Sequence, residues 1–298
     1  MQFATAIRRI RVGNPRRFQI AGCDPSATYG VDKDAAEKML ADAAAQLADL
    51  HERLWAQGRW AVLGILQGMD TSGKDGVVKH VMSGVNPQGC EVHSFKAPTA
   101  EELDHDFLWR AVCKLPGRGR IGIFNRSYYE DVLIARVHPD MLAHARLPKQ
   151  VVTPAIWRQR FEDICAFERM LARNGTLVLK FFLHISPQEQ RERLLARLKE
   201  PAKRWKFSPN DIVERGRWPR YMRAYEDMIR ATSHADAPWY VVPADHKPIA
   251  RLMVARVMVD ALSRLNLVFP EVRGKALAEL KKVERALRSE RAPRRRSR

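Results

Sequence analysis

Residues 65–76 read ILQGMDTSGKDG and have the spacing of a phosphate-binding loop. The residues that match the G-x-x-x-x-G-K pattern of such loops are Gly68, Gly73 and Lys74. The pattern continues with a Ser or Thr that holds magnesium, but here Asp75 follows, and a second acid, Asp70, lies inside the loop. Because a carboxylate repels phosphate unless a cation lies between them, these acids indicate magnesium or a neighbouring arginine. For Asp75 there is a structural alternative, since an acid near a helix N-terminus also stabilises the helix dipole.

A second polar cluster follows another candidate strand. The stretch FNRSYYEDV, residues 124–132, places Asn125, Arg126 and Glu130 just beyond the strand's carboxyl end. Open α/β sheets bind their ligands at that end of the strands. Asn125 occupies the position where a magnesium-anchoring acid is usual, so Glu130 is the candidate carboxylate. Arg126 can neutralise charge on a transferring phosphoryl group.

The elements that must hold these residues alternate between helical patterns and short apolar runs. Apolar residues repeat at helical spacing over 32–57. The candidate strands are 60–67, 90–95, 120–125, 176–185 and 239–244. Such strands, separated by helices, predict a five-stranded parallel sheet flanked by helices in an α/β fold. We expect residues 1–31 to form an irregular basic arm.

The charge of the chain favours a polyanionic partner. Its formal net charge is +18, of which residues 285–298 supply +6, so +12 lies elsewhere. We expect 285–298 to be a disordered basic tail. Residues 199–223 carry eight Lys or Arg against three Asp or Glu, which is typical of a solvated helix face. Their place between the fourth and fifth strands favours instead a lid that closes basic groups over phosphates. The lid candidates are Lys203, Arg204 and Lys206.

Several protein classes are disfavoured by the composition. The four cysteines lack ligand spacing, and the nine histidines form no zinc motif. No stretch reaches the roughly 18 apolar residues that a membrane span needs, and the N-terminus lacks the apolar region of a signal peptide. We therefore expect a cytoplasmic protein with reduced cysteines and no membrane association.

Four stretches together resemble the polyphosphate kinase 2 family, in order and in spacing, from about residue 30 to about residue 268. They are QGMDTSGKDG, FKAPTAEELDHDFLWR, GIFNRSYYEDVL and KRWKFSPND. The resemblance implies a three-layer, thymidylate-kinase-like P-loop kinase fold over 32–284, with a helical lid at 199–223. It also implies Mg²⁺-dependent phosphoryl transfer between inorganic polyphosphate and nucleotides, either AMP and ADP or GMP and GDP.

The resemblance also assigns roles to residues. The expected catalytic residues are Asp70, Lys74, Arg126 and Glu130, with Asp70 and Glu130 also holding the metal. Polyphosphate is expected at Gly68, Ser72, Gly73, Lys74, Asp75, Lys203, Arg204 and Lys206, and the nucleotide at Asn125, Arg126 and Arg136. Asn125 agrees with the branch of the family that acts on both nucleoside mono- and diphosphates. We expect a homo-oligomer, either a dimer or a tetramer.

Two other functions compete with this interpretation. An ATP-dependent nucleoside monophosphate kinase of the thymidylate-kinase type needs the same sheet and loop, but favours Ser or Thr where Asp75 stands. A nucleic-acid-binding protein would use the basic tail and lid, yet the chain carries no recognisable RNP or zinc-finger motif. Nucleic acid is therefore not an expected partner.

Overall fold

The computed structural model describes residues 2–143 and 145–290, and for residues 2–4, Ala143 and Lys206 it describes the backbone alone. The strands are β1 Ala61–Gln67, β2 Cys90–Ser94, β3 Ile121–Asn125, β4 Thr176–His184 and β5 Trp239–Pro243. The α-helices are α1 Gln2–Ile10, α2 Lys33–Gln57, α3 Lys74–Val81, α4 Ala100–Leu103, α5 Trp109–Val112, α6 Glu130–Val137, α7 Asp140–Ala143, α8 Ile156–Arg173, α9 Pro187–Lys199, α10 Asn210–Gly216, α11 Trp218–Thr232, α12 Lys247–Ser263 and α13 Gly274–Ser289.

The five strands form one parallel sheet in the order β2-β3-β1-β4-β5, so the predicted strands and their direction are confirmed. Ile65 at the centre of β1 lies opposite Phe124 on one side and Lys180 on the other. Every residue of β1 is buried, which explains its unbroken apolar run. Because the chain moves outward in opposite directions from β1, a crevice opens at the carboxyl ends of β1, β3 and β4.

Helices cover both faces of the sheet, which gives the predicted three-layer α/β architecture. Along β4, Phe181 faces a layer in which α12 packs against α2 and α3. The next residue, Phe182, points to the opposite face, where its ring lies 4.5 Å from that of Tyr225 on α11. This second layer also contains α6 and α8. No helix in the described part of the chain is long and apolar enough to cross a membrane.

Two segments predicted to be irregular or disordered contain helix in the part of the chain that the structure describes. The N-terminal arm is not irregular: α1 buries Ala6 and Ile10, and the amide of Val12 donates to Trp239 O on β5 at 2.9 Å. This helix was missed because it is short and is held in place by its contacts with the core rather than by local capping. At the other end, α13 includes residues 285–289, so this part of the predicted tail is helical. Residues 291–298 lie outside the described residues.

The predicted lid is helical, but its last part belongs to the core. Residues 201–206 form a 3₁₀ helix and α10 follows, both largely exposed. From Trp218 the chain enters α11, which packs on α6 and α8 and buries Tyr221. The buried residues of α11 recur at helical spacing from Tyr221 to Thr232, but the sequence analysis assigned the start of this helix to the lid because of its positive charge. Only 199–217 therefore projects from the core layer.

A buried ion pair fixes the segment that follows β3. Lys180 on β4 and Glu168 on α8 are both fully buried, and Lys180 Nζ donates to Glu168 Oε2 at 2.6 Å. The hydroxyls of Tyr128 and Tyr129 donate to the other oxygen, Oε1, at 2.8 and 2.7 Å. Burial opposes the charge on Glu168, but Lys180, together with hydrogen bonds from His234 and Tyr129, holds its pKa below the usual range. The network therefore fixes the two tyrosines immediately before Glu130.

Replacement of Lys180 by methionine tests the network. Lys180→Met leaves the buried carboxylate of Glu168 without its cation, so we expect the free energy of unfolding to fall by about 3 kcal/mol. The measurement is urea denaturation. The control is Arg158→Met, because Arg158 pairs with Glu162 on the exposed surface, where loss of an ion pair costs at most about 0.5 kcal/mol. Equal losses in the two variants would contradict the proposed strength of the buried pair.

Candidate active site

The loop between β1 and α3 forms a concave phosphate cradle. Gly68 and Gly73 have φ angles of +151° and +105°, a range that favours glycine. A Cβ on Gly68 would lie 2.8 Å from both Leu183 O and Ser72 Oγ, so no other residue fits there without a shift. The hydroxyl of Ser72 is buried and has no hydrogen-bond partner among the described residues, which leaves it available to a ligand oxygen. The N-terminus of α3 adds its partial positive charge at the same place.

Lys74 is folded back onto this loop. Its side chain is buried, and Nζ donates to Gly68 O at 2.7 Å and to Met69 O at 3.1 Å. Burial, together with the nearby charge of Arg126, lowers the pKa of Lys74 to about 8. The ammonium group is thus held at the cradle by neutral carbonyls that a phosphate can replace.

Arg126 joins the two acids predicted to hold metal. Its φ of +63° turns the chain sharply after β3. Its Nη2 donates to Asp70 Oδ1 at 2.9 Å, and its Nη1 lies 3.6 Å from Glu130 Oε2. Burial opposes the charge on Arg126, but Glu130 and Asp70 outweigh it and raise the arginine's pKa. The pKa of Glu130 is raised as well, because burial disfavours its charged form more than Arg126 stabilises it.

Asn125 at the end of β3 contacts the second acid of the loop. Its Nδ2 donates to Asp75 Oδ1 at 2.8 Å. The amide therefore orients a carboxylate of the first turn of α3 without adding negative charge to the crevice. The sequence analysis inferred magnesium or an arginine beside these acids, and the structure has such an arginine, because Arg126 contacts Asp70.

The cradle is the floor of a cavity of about 740 Å³ with a strongly basic lining. Of the predicted residues it brings together Asp70, Ser72, Gly73, Lys74, Asp75, Asn125, Arg126 and Lys203. Cations that the sequence analysis did not select also line it: Lys96, Arg193, Arg197, Lys247 and Arg251. They come from the segment after β2, from α9 and from the start of α12. Lys96 lies in the stretch FKAPTAEELDHDFLWR, and no motif marks the other four.

A smaller cavity of about 240 Å³ adjoins the first, and both are lined by Lys96 and Arg126. Glu130 lines this second cavity together with Asp131 and Arg110. The pKa of Asp131 is raised by burial, although Arg160 and Arg110 oppose the shift. The two cavities meet at the guanidinium of Arg126.

Two arginines among the predicted site residues line neither cavity. Arg136 lies on α6 away from both cavities, where its Nη2 donates to Asp227 Oδ2 at 2.8 Å. Arg204 is exposed, and its Nε donates to Leu198 O at 2.9 Å. The side chain of Lys206 lies outside the described residues. Among the residues that are described, no group of three or more His, Cys, Asp or Glu forms a cluster suited to a metal ion.

Two residues of α9 that the sequence analysis missed hold the loop from the other side. Arg193 is buried, and its Nη1 donates to Thr71 O at 2.9 Å while Nη2 donates to Ala244 O at 2.6 Å. One turn earlier, Gln190 Nε2 donates to Asp70 O at 3.1 Å. Only their i, i+3 spacing on a helix after a strand could have indicated such a role.

These features define a class of protein. A P-loop after the central strand of a parallel sheet, a basic crevice and a projecting helical segment are the parts of a P-loop kinase, in which positioning and electrostatic stabilisation drive phosphoryl transfer. The model of the family described as polyphosphate kinase 2 (PPK2) matches residues 30–268. The chain belongs to this family and is a polyphosphate kinase, an enzyme that transfers phosphoryl groups between polyphosphate and nucleotides.

Individual relatives agree with this assignment. The chain is 49% identical over 256 residues to an ADP-polyphosphate phosphotransferase of Rhodopseudomonas palustris, covering 86% of this chain and 89% of that protein. It is 44% identical over 267 residues to an AMP/ADP-polyphosphate phosphotransferase of Meiothermus ruber, covering 89% and 96%. The crystal structure of polyphosphate kinase 2 from Arthrobacter aurescens TC1 superposes with a TM-score of 0.86 at 41% identity, covering 96% of this chain and 97% of that one.

The low pKa of Lys74 predicts how polyphosphate affinity depends on pH. Below about pH 8 Lys74 is charged in the free protein, and above it the neutral form dominates. A bound polyanion favours the charged form, so wild-type affinity should fall by up to about tenfold per pH unit above that value, with proton uptake on binding. Titration calorimetry between about pH 7 and 9.5 measures both quantities. Lys74→Met should bind polyphosphate more weakly than wild type, and its affinity should not show this additional fall as the pH rises above about 8. An identical pH dependence in the two proteins would contradict the assignment.

Proposed function

We propose that the cavity above the P-loop binds the end of a polyphosphate chain and that the adjoining cavity binds the nucleotide acceptor. The observation that carries this proposal is the position of Arg126, which borders both cavities and contacts Asp70 and Glu130. A guanidinium at this junction lies where the phosphoryl group must pass. It stabilises the charge that spreads over that group in the transition state.

The reaction needs positioning more than proton transfer. An oxygen of the acceptor's terminal phosphate attacks the last phosphorus of the polyphosphate, one P–O bond forms, and the bond to the rest of the chain breaks. The attacking oxygen is already anionic, so no general base is required. We assign Lys74, Ser72 and the loop amides to the polyphosphate oxygens, and Arg126 to the transferring group. Lys247 and Arg251 on α12 extend this basic surface for the following phosphates.

Mg²⁺ is the cofactor that the acids of the site fit. Protein sites bind this ion through one or two carboxylates together with phosphate oxygens, which does not require a three-residue cluster. Asp70 lines the first cavity and Glu130 the second, with Arg126 between them. We assign Asp70 to magnesium carried by polyphosphate and Glu130 to magnesium carried by the acceptor. The ion, when bound, neutralises phosphate charge that would otherwise repel both carboxylates.

The acceptor is proposed to be either AMP or ADP. Asn125 leaves the strand end neutral, so one carboxylate fewer lies in the first cavity, where the acceptor must meet the phosphoryl group, than with Asp in its place. Curated relatives of similar identity carry the names ADP- and AMP/ADP-polyphosphate phosphotransferase, which supports a nucleotide site of this kind. An ATP-dependent monophosphate kinase has no observation in its favour, because Asp75 replaces the usual hydroxyl residue.

The segment 199–217 is proposed to close over the polyphosphate as a lid. Lys203 already lines the first cavity, although its Nζ now lies 2.6 Å from Glu200 Oε2. Arg204 and Lys206 lie on the same 3₁₀ helix. Closure would bring these cations onto the phosphates and exclude water.

Asp70→Asn tests the proposed role of the loop acid. Loss of the carboxylate removes the partner of Arg126 and of magnesium, so turnover should fall by roughly 100-fold. The melting temperature should stay within a few degrees of wild type, since Asp70 is about one-third exposed. Asp42→Asn on the exposed face of α2 is the control and should keep full turnover. Turnover of Asp70→Asn close to that of wild type would overturn the assignment.

Acceptor length is tested with purified enzyme, Mg²⁺, long-chain polyphosphate and either AMP or ADP, followed by luciferase detection of ATP. Rates with the two acceptors should lie within about two decades, a difference of roughly 2.7 kcal/mol in barrier. Omission of Mg²⁺ should abolish both rates. The preparation must be free of adenylate kinase, which is checked by omitting polyphosphate. Formation of ADP but never ATP from AMP, or no reaction with AMP, would contradict the proposal.

A further inference from the structure

One buried side chain forms hydrogen bonds with both the lid helix α10 and the P-loop. Gln190 on α9 is 1% exposed and lies between the two. Its Oε1 accepts from Arg215 Nη1 of α10 at 2.9 Å, and its Nε2 donates to Asp70 O at 3.1 Å. Arg215 Nη1 also donates to Pro187 O at 2.7 Å, which places α10 at the start of α9.

These contacts require an amide at position 190. Arginine can only donate, and a backbone carbonyl can only accept, so the side chain between them must accept at one end and donate at the other. Glutamine does both. A glutamate would keep the bond to Arg215 but set a carboxylate oxygen against the carbonyl of Asp70, and an apolar residue would lose both bonds.

The position of the Asp70 peptide matters for the site. The next residue, Thr71, has a φ of +65°, an uncommon conformation for a side chain other than glycine, so this part of the loop must be held by its surroundings. Asp70 itself reaches Arg126 at 2.9 Å. A small rotation of the Asp70 peptide therefore moves the carboxylate that faces the transferring phosphoryl group.

A second set of contacts, made by the neighbouring residue, also fixes the lid helix α10 on the core. Glu214, adjacent to Arg215, accepts from Tyr221 OH at 2.6 Å and from Arg217 Nη1 at 2.8 Å, and it lies 2.7 Å from His138 Nε2 at the end of α6. The helix α10 is therefore held against α6 on one side and against α9 on the other. Movement of α10 on lid opening would break or strain the bond between Arg215 and Gln190.

We propose that Gln190 is a positioning residue that couples the placement of the lid helix, through Arg215, to the orientation of Asp70. The inference rests on the proposed lid. Arg193 holds the loop at Thr71 O, but its other partners are Glu189 on α9 itself and Ala244 and Asp245 in the loop after β5, none of which belongs to α10. Gln190 is thus the residue through which α10 is bonded to the P-loop in the described part of the chain.

A double-mutant cycle tests the coupling. Gln190→Met and Arg215→Ala should each lower kcat, by about tenfold for the first, because misplaced catalytic groups cost rate. KM for polyphosphate should stay within about threefold, since the basic lining remains. In the Gln190→Met background, Arg215→Ala should have a much smaller effect than in wild type, because the bond to Gln190 is already lost and only the bond to Pro187 O remains. Arg191→Ala, an exposed residue of α9, controls for loss of charge and should keep wild-type kcat.

Two results would overturn the proposal. One is an Arg215→Ala effect of the same size in both backgrounds, and the other is wild-type kcat in Gln190→Met. If Gln190→Met does not fold, Gln190→Glu is measured by itself, because it keeps the bond to Arg215 and loses only the bond to Asp70 O. Wild-type kcat in that variant would also overturn the proposal. The lid has its own readout, protection of 199–217 from trypsin by polyphosphate with ADP. Equal cleavage with and without ligands would reject the lid, while the cycle still decides the coupling.

Discussion

The salt bridge between Arg126 and Asp70 joins the loop after β1 to the turn after β3 at the centre of the sheet. Without ligand, the cradle of amides, Lys74 and the α3 N-terminus has a surplus of positive charge, and Asp70 offsets part of it. The same pair leaves Arg126 at the junction of the two cavities. The geometry of phosphoryl transfer therefore depends on how firmly these two short segments are held.

Each segment is fixed by polar contacts from elements distant in the sequence. The turn after β3 is anchored by Tyr128 and Tyr129 on the buried pair of Lys180 and Glu168. Buried charges of this kind cost free energy to desolvate, and a fully bonded network is what makes the arrangement stable and unique in geometry. The loop after β1 is held by two side chains of α9. The enzyme thus places its costly buried polar groups around the residues whose positions matter most.

The sequence predicted the strands of the sheet more completely than it predicted the helices and the residues of the site. Continuous apolar runs and the glycine pattern sufficed for all five strands, for the P-loop and for the acids at the strand ends, because these signals are local. The short α1 was missed because it lies in a segment that was interpreted as an irregular basic arm. The start of α11 was assigned to the lid because of its positive charge, although its buried face packs on the core. Arg136 was assigned to the nucleotide, but the fold turns it toward Asp227 on α11.

The sequence by itself determined the family, the parallel sheet and the chemistry of the loop, because each is written in residues adjacent along the chain. The strand order was decided only by the tertiary structure. That order places the ends of β3, β4 and β5 around one loop and so recruits Gln190, Arg193 and Lys247 to the crevice. The physical reason is that hydrogen bonds and charge pairs act over a few ångströms, whereas these residues lie more than a hundred positions along the chain from the loop.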